Sequence, residues 1–198
     1  MKFLITGGAG FIGSNIASEL LKKGYSVRIL DNFSSGKREN LKGMEKDIEL
    51  VEGDIRSYHI VQDSLKDIDI VLHQAALPSV PRSIKDPITT NDVNINGTLN
   101  ILEAAVDLKV KRVVYASSSS VYGLNRKVPF SENDITDSPI SLYAATKKSN
   151  ELMCQTYSHL YGLRCFGLRF FTVYGPWGRP DMAYFKFADK IMKGETIE

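Results

Sequence analysis

Little in this sequence points to a charged partner, a metal or a membrane. Its 198 residues include two cysteines, three histidines and one tryptophan, and the formal net charge is +2. So small a charge is no footprint for nucleic acid or an anionic surface. The basic groups Lys22-Lys23, Lys109-Lys111-Arg112 and Lys147-Lys148 are dispersed and read as solvated helix ends. Cys154 falls in a helical pattern and Cys165 in an apolar strand-like run, outside any metal-spaced cluster. Two thiols in a reducing compartment are expected rather than a disulfide. No stretch approaches the roughly 18–20 apolar residues of a membrane span. The apolar run after Met1-Lys2 passes into a glycine turn too soon for a signal peptide. A soluble cytoplasmic protein with no metal, no nucleic acid and no membrane partner is the expectation. What is present agrees: 43% hydrophobic and 24% charged residues, in a length that suits one domain.

Short apolar runs alternate with amphipathic helical patterns. Strands are predicted at 3–6, 26–30, 48–52, 70–72, 110–116 and 163–171. Helices are predicted at about 11–23, 57–66, 91–108, 142–161 and 183–193. Residues 77–90 carry three prolines and are expected as loop, and 124–141 as a polar insert. This alternation argues an α/β fold with a doubly wound, mostly parallel sheet in the order 3-2-1-4-5-6. Six strands use the whole sequence and leave nothing for a second lobe.

Between the first strand and first helix stands Thr6-Gly7-Gly8-Ala9-Gly10-Phe11-Ile12-Gly13. Glycines at this spacing allow a tight turn, close backbone approach to a pyrophosphate, and close helix–strand packing. The helix start beyond them supplies free N–H groups for phosphate. Asp31 ends the second strand, where a carboxylate can accept the adenosine ribose hydroxyls. NAD is therefore the expected cofactor. A carboxylate there repels a 2′-phosphate, although the neighbouring Lys37 and Arg38 could attract one.

Tyr143 and Lys147 lie four residues apart in Ser-Leu-Tyr-Ala-Ala-Thr-Lys. That spacing puts phenol and ammonium on one helix face. A nearby cation favours the phenolate and brings a poor base toward its working range. Upstream, the fifth strand runs into Ala116-Ser117-Ser118-Ser119-Ser120-Val121-Tyr122-Gly123. Strand ends of this kind face the ligand crevice. At least two of the four serines should only make turns or cap helices.

With these pieces in order, the chain resembles the extended short-chain dehydrogenase/reductase superfamily. Within it the likeness is to NAD-dependent nucleotide-sugar epimerases, specifically UDP-glucuronate 4-epimerases. The motifs that carry it are Thr6–Gly13, Ala116–Gly123, Ser141–Leu152 and Leu168–Met182, and the likeness extends over essentially the whole chain. The resemblance implies Ser118 as the catalytic hydroxyl, Tyr143 as acid/base, and Lys147 as partner of both the phenol and the nicotinamide ribose. Residue types alone do not choose Ser118 over Ser119. The resemblance also implies cofactor contacts from Gly7, Gly10, Phe11, Ile12, Gly13, Asp31 and Asn32. Asp54 and Ile55 resemble an adenine-contacting pair, Gln74-Ala75-Ala76 a cofactor-lining segment, and Asn94 a structural or cofactor-side asparagine.

The implied reaction is transient oxidation of a UDP-sugar, UDP-glucuronate above all, through a 4-keto intermediate. Arg179 is the candidate for the uronate carboxylate, because a guanidinium holds it bidentately. Thr172 is a second candidate contact with the sugar. Arg82 and Lys85 read as solvated loop residues that could approach it. His73 reads as packed and hydrogen-bonded, His59 and His159 as helix-surface residues. The superfamily's homodimers pair helices equivalent to 91–108 and 142–161, so Leu99, Leu102, Ala105, Leu152 and Tyr157 could serve that contact or the core. The resemblance implies that such epimerases continue for about a hundred residues or more, so 1–198 is expected to be the NAD-binding domain without its substrate lobe. Weak sugar-nucleotide binding is expected to follow. A UDP-glucuronate decarboxylase, a sugar-nucleotide dehydratase and a non-catalytic NAD-binding module remain as alternatives. Family dehydratases place acids where this chain has Ser119 and Ser120.

Overall fold

The computed structural model describes residues 1–178 and 182–197. Six parallel strands form one sheet in the order β3-β2-β1-β4-β5-β6. They are β1 (Lys2–Thr6), β2 (Ser26–Asp31), β3 (Ile48–Glu52), β4 (Ile70–His73), β5 (Arg112–Ser118) and β6 (Cys165–Phe170). The order is the one the alternating pattern predicts. In register, Thr6 lies beside Leu30 on one side and His73 on the other, and His73 lies beside Tyr115. The carboxyl ends Thr6, Asp31, His73 and Ser118 thus share one edge of the sheet.

Strand period decides which face each apolar residue serves. Leu4, Leu30, Val71 and Val113 pack with Ile101, Leu102 and Tyr157 in one buried cluster. Ile5, Val27 and Ile29 pack with Ala17 and Leu41 in another. A strand buried on both faces reads as a continuous apolar run, as Phe3-Leu4-Ile5 does in β1.

The covering helices are α1 (Phe11–Lys22), α2 (Tyr58–Ser64), α3 (Val80–Lys85), α4 (Pro87–Asn91), α5 (Gly97–Asp107), α6 (Leu142–Tyr161) and α7 (Ala183–Lys193). The expected loop at 77–90 is in fact the site of α3 and α4. Pro81 and Pro87 fall in the first turn of each, where a missing N–H costs nothing. Ser79 and Asp86 cap the two helices by accepting from Arg82 N and Thr89 N. The helix expected from 91 is interrupted by a π turn over Asp92–Asn96 before α5 begins. The fifth strand also runs two residues further than predicted, carrying Ser117 and Ser118 onto the sheet.

Of the five residues offered for helix pairing, Leu102, Ala105 and Tyr157 are buried in the core, whereas Leu99 and Leu152 are exposed. Among the described residues no helix is long and apolar enough to cross a membrane.

Candidate active site

The turn after β1 is tight because its backbone bonds to itself and to the sheet. Gly7 N donates to Leu30 O at 2.8 Å and Gly10 N to Gly7 O at 3.1 Å. Gly7 has a φ of +69°, a conformation that glycine adopts without strain. A Cβ added at Gly13 would lie 2.7 Å from Gly8 Cα and inside the Gly7 carbonyl, and one at Gly7 would lie 2.7 Å from Ala75 N. These glycines are therefore sites of close backbone approach. Gly10 caps α1 with no side-chain bond. Helix geometry leaves the N–H groups of Phe11, Ile12 and Gly13 without intrahelical acceptors and aimed out of the helix start.

Asp31 is buried and holds this cradle from beneath. Its Oδ2 accepts from Ala9 N at 2.9 Å and its Oδ1 from Phe33 N at 2.8 Å. Burial pushes its carboxyl above the usual range, and the two backbone donors oppose that shift. Arg38, one of two cations that could draw a 2′-phosphate, is paired with Glu52 and stacks on the Phe33 ring at 4.2 Å. Asn32 Nδ2 donates to Asp54 Oδ2 at 2.8 Å. Arg56 closes on the same carboxylate and holds it well below the ordinary range, at about 2. Ile55 is buried, and Gly97 leaves the room its side chain needs, so this neighbour of Asp54 is core.

Gln74, Ala75 and Ala76 follow β4, and the backbone of Gln74 and Ala75 lies against Gly7. The Gln74 Oε1 atom is buried with no hydrogen-bond partner. Such an acceptor fits a ligand that brings its own donor. With a cradle that any Cβ would fill, the cleft fits NAD.

At the end of β5 the four serines separate. Ser117 Oγ donates to Glu151 Oε1 at 2.6 Å, and Arg169 holds both oxygens of that carboxylate. Ser118, on the opposite strand face, accepts from Ser120 N at 3.1 Å and caps a short 3-10 turn over Ser119–Tyr122. The capping role expected of some serine in the run falls on Ser118 itself. Its hydroxyl points to Ser120 Oγ at 3.1 Å.

Tyr143 and Lys147 sit in the first turns of α6, which Ser141 caps through Ala144 N. Lys147 is only 4% exposed and donates from Nζ to Ala116 O at 2.8 Å. Burial lowers its pKa from 10.5 to about 8. The ammonium lies 6.0 Å from the Tyr143 ring centre. The backbone of Tyr143 is held as well, its N–H donating to Ser83 Oγ at 3.2 Å. Lys147 therefore ties the first turns of α6, which carry Tyr143, to the end of β5, which carries Ser118.

Several residues of this assembly carry no sequence signal of their own. Ser83 lies in the stretch read as loop, Thr98 is one polar residue among several in Asn96-Gly97-Thr98-Leu99-Asn100, and Thr6 and Thr146 fall inside quoted motifs with nothing to mark their own roles. Asn94 is tied into the fold: its Oδ1 accepts from Leu77 N at 2.8 Å and its Nδ2 donates to Thr146 Oγ1 at 3.1 Å. Thr172 is exposed, two residues beyond β6. Arg179 lies outside the described residues. Arg82 and Lys85 are exposed on α3 rather than in a loop. His59 and His159 are exposed on helices, and Cys154 and Cys165 are free thiols.

The family model for NAD dependent epimerase/dehydratase proteins matches residues 3–198. UDP-glucuronate 4-epimerase 4 of Arabidopsis thaliana is 48% identical over 203 residues, covering 98% of this chain and 46% of that protein. Thermus thermophilus UDP-glucose 4-epimerase, solved with NAD, superposes with a TM-score of 0.91 at 36% identity, over 100% of this chain and 64% of that one. The dTDP-glucose 4,6-dehydratase DesIV of Streptomyces venezuelae, also solved with NAD, gives 0.92 at 34% identity with the same two coverages. The chain thus spans about half the length of the Arabidopsis protein and under two thirds of both solved structures.

Proposed function

We propose, from the premise that this chain belongs to the NAD-dependent epimerase/dehydratase family, that it carries the cofactor cleft and acid–base residues of a UDP-glucuronate 4-epimerase. The observation that carries the reading is Lys147, a buried ammonium fixed to the β5 backbone one helical turn from the Tyr143 phenol. A cation so desolvated acts strongly on a neighbouring phenolate.

The cradle of Gly7, Gly10 and Gly13 and the N–H groups at the start of α1 would hold the pyrophosphate of NAD. Asp31 and Asn32 would take the adenosine ribose, Asp54 the adenine, and Gln74-Ala75-Ala76 the wall beside the dinucleotide. Bound NAD supplies a hydride acceptor that later returns the hydride. Tyr143, as phenolate, takes the proton of the sugar 4-hydroxyl, and Ser118 shares that hydroxyl's hydrogen bonding. Lys147 keeps the phenol ionisable. After the 4-keto sugar has turned over in the site, Tyr143 would give back the proton it took, on the side where the new 4-hydroxyl forms. Arg179 would bind the uronate carboxylate, with Thr172 as a further sugar contact.

Two observations favour an epimerase that takes a uronate. Ser119 and Ser120 provide no acid beside Ser118 to expel water, as a dehydratase needs. The Arabidopsis relative at 48% identity bears the UDP-glucuronate 4-epimerase name. A UDP-glucuronate decarboxylase would use the same cleft and substrate. A cytoplasmic setting and a homodimer using the exposed Leu99 and Leu152 belong to the same proposal.

Incubation with NAD and UDP-glucuronate, followed by chromatography of the nucleotide sugars, tests the reading. UDP-galacturonate is the expected product. Release of carbon dioxide instead would make the chain part of a decarboxylase. Assayed beside a full-length relative at saturating UDP-glucuronate, no turnover by this chain with NAD firmly bound would leave a binding module.

A further inference from the structure

Beneath the cradle runs a buried chain of hydrogen bonds whose donors and acceptors can be ordered completely. Thr98 Oγ1 donates to Asn94 O at 2.7 Å, so its lone pair faces His73 Nε2 at 3.0 Å and that nitrogen carries the proton. The other ring nitrogen, Nδ1, is then bare and accepts from Thr6 Oγ1 at 2.6 Å. Thr6 Oγ1, its own proton committed, accepts from Ala75 N at 3.2 Å. Beyond Asn94 the direction continues. Asn94 Nδ2 donates to Thr146 Oγ1, and Thr146 donates to Tyr143 O at 2.8 Å.

We propose that His73 is a positioning residue: held in one tautomer between Thr6 and Thr98, it fixes the Gln74–Ala76 wall of the cofactor cleft against the π turn and the catalytic helix. The proposal rests on reading that cleft as the NAD site. Three side chains in the chain, Thr6, Thr98 and Thr146, have 2% exposure or less, and His73 has 4%. In so dry a setting each hydroxyl has one proton to give and no water to replace a lost partner. The pieces joined are distant in sequence: β1, the end of β4, the π turn, α5 and α6. The wall residue Ala75 lies so close to Gly7 that a Cβ on that glycine would meet Ala75 N at 2.7 Å. A slack link at His73 would therefore be felt as a displaced wall on one side and a displaced Tyr143 backbone on the other.

Thr98→Val keeps the volume and removes the acceptor that fixes the His73 proton, while Thr98→Ser keeps it. Thr146→Val cuts the chain at its far end. NAD affinity is read by fluorescence titration well below the unfolding midpoint, and the Tyr143 phenol by the tyrosinate absorbance lost in Tyr143→Phe. Thr98→Val is expected to weaken NAD about three- to tenfold, one or two hydrogen bonds' worth. It should also move the Tyr143 titration, with Thr98→Ser restoring both. Thr146→Val should move the titration, and the double variant should fall short of additivity, as members of one network do. Should Thr98→Val fail to fold, Thr146→Val alone decides, and an unmoved Tyr143 titration there overturns the proposal. Lowered thermal stability with NAD affinity and titration intact also overturns it, leaving His73 a packing residue. A parent chain that does not bind NAD at all would instead sink the reading of the cleft.

Discussion

Lys147 Nζ sits 2.8 Å from the carbonyl oxygen of Ala116, so the helix that carries Tyr143 is pinned to the strand that ends at Ser118. Its charge is held in place while burial favours losing it, down to a pKa of about 8. Activity that depends on a phenolate beside this ammonium should decline as pH rises through about 8, where the cation is lost. Stability should respond in the opposite sense. The folded value lies below the unfolded one, so between about pH 8 and pH 10.4 the unfolded chain binds more protons and this group adds stability as pH rises. Urea titrations across that window should show a slope more positive in the parent than in Lys147→Met, by up to about 1.4 kcal/mol per pH unit. The Cys154 thiol, pushed up by its bond with Cys165 and by burial, pulls stability down with pH in both proteins and so cancels from the comparison. Equal slopes in both would mean that Lys147 does not titrate there.

Tyr143→Phe removes only the phenolic oxygen and leaves the α6 backbone and its Ser83 contact in place. Turnover of UDP-glucuronate should fall by about a thousandfold or more, within the range of a lost general base, with NAD affinity unchanged within about twofold. Near-parental turnover would remove Tyr143 from the reaction.

Serines 117 and 118 should differ sharply although they are neighbours. Ser117 serves a carboxylate that Arg169 already holds with two bonds, so Ser117→Ala should cost less than about 1 kcal/mol and leave turnover alone. Ser118→Ala deletes a cap worth about 1 kcal/mol and should also slow turnover while NAD stays bound. Unimpaired turnover in Ser118→Ala would shift the role to Ser119 or Ser120.

The glycine cradle offers a contrast between crowding and conformation. Gly13→Ala drives a methyl group into the backbone of Gly7 and Gly8, which cannot yield without opening the turn. NAD affinity should drop by at least about tenfold, and overpacking should cost about 1–3 kcal/mol. Gly24→Ala faces open space at a φ of +76°, so it should lose about 1 kcal/mol to strain and leave NAD binding untouched. Fluorescence titration and thermal melts of the two variants separate the effects.

Much of this is legible in the sequence because it is local. The cradle, Asp31 at a strand end and the Tyr143–Lys147 spacing are each written within a few residues. The strand order follows from alternation and right-handed crossovers. Proline misleads at 77–90, since Pro81 and Pro87 begin helices there instead of preventing them. What stays hidden is long-range polar pairing. Nothing in the order of residues says that Thr6 meets His73, 67 positions away, or that Asn94 meets Thr146, 52 away. Ser118 resists choice for the same reason, since four adjacent hydroxyls become different only once Glu151 and Ser120 take two of them.

Acid should reveal His73 before it reveals the carboxylates. Burial holds the imidazole neutral down to about pH 3, with the Lys147 ammonium as the charged group that further opposes protonation. The unfolded value is near 6.5, so between about pH 6.5 and pH 3 the unfolded chain binds more protons and stability falls as pH is lowered. The slope approaches about 1.4 kcal/mol per pH unit in the middle of that window. Asp54, held by Arg56 at about 2, loses its contribution only as pH falls from about 4 toward 2, so the two groups act in different ranges. His73→Gln, which can still donate and accept but does not titrate, should flatten the loss between about pH 6 and pH 4.5 by about 2 kcal/mol. Denaturant unfolding at a series of pH values measures it directly. A parent whose stability holds level to about pH 4.5 would show that His73 does not stay neutral at the centre of the buried chain.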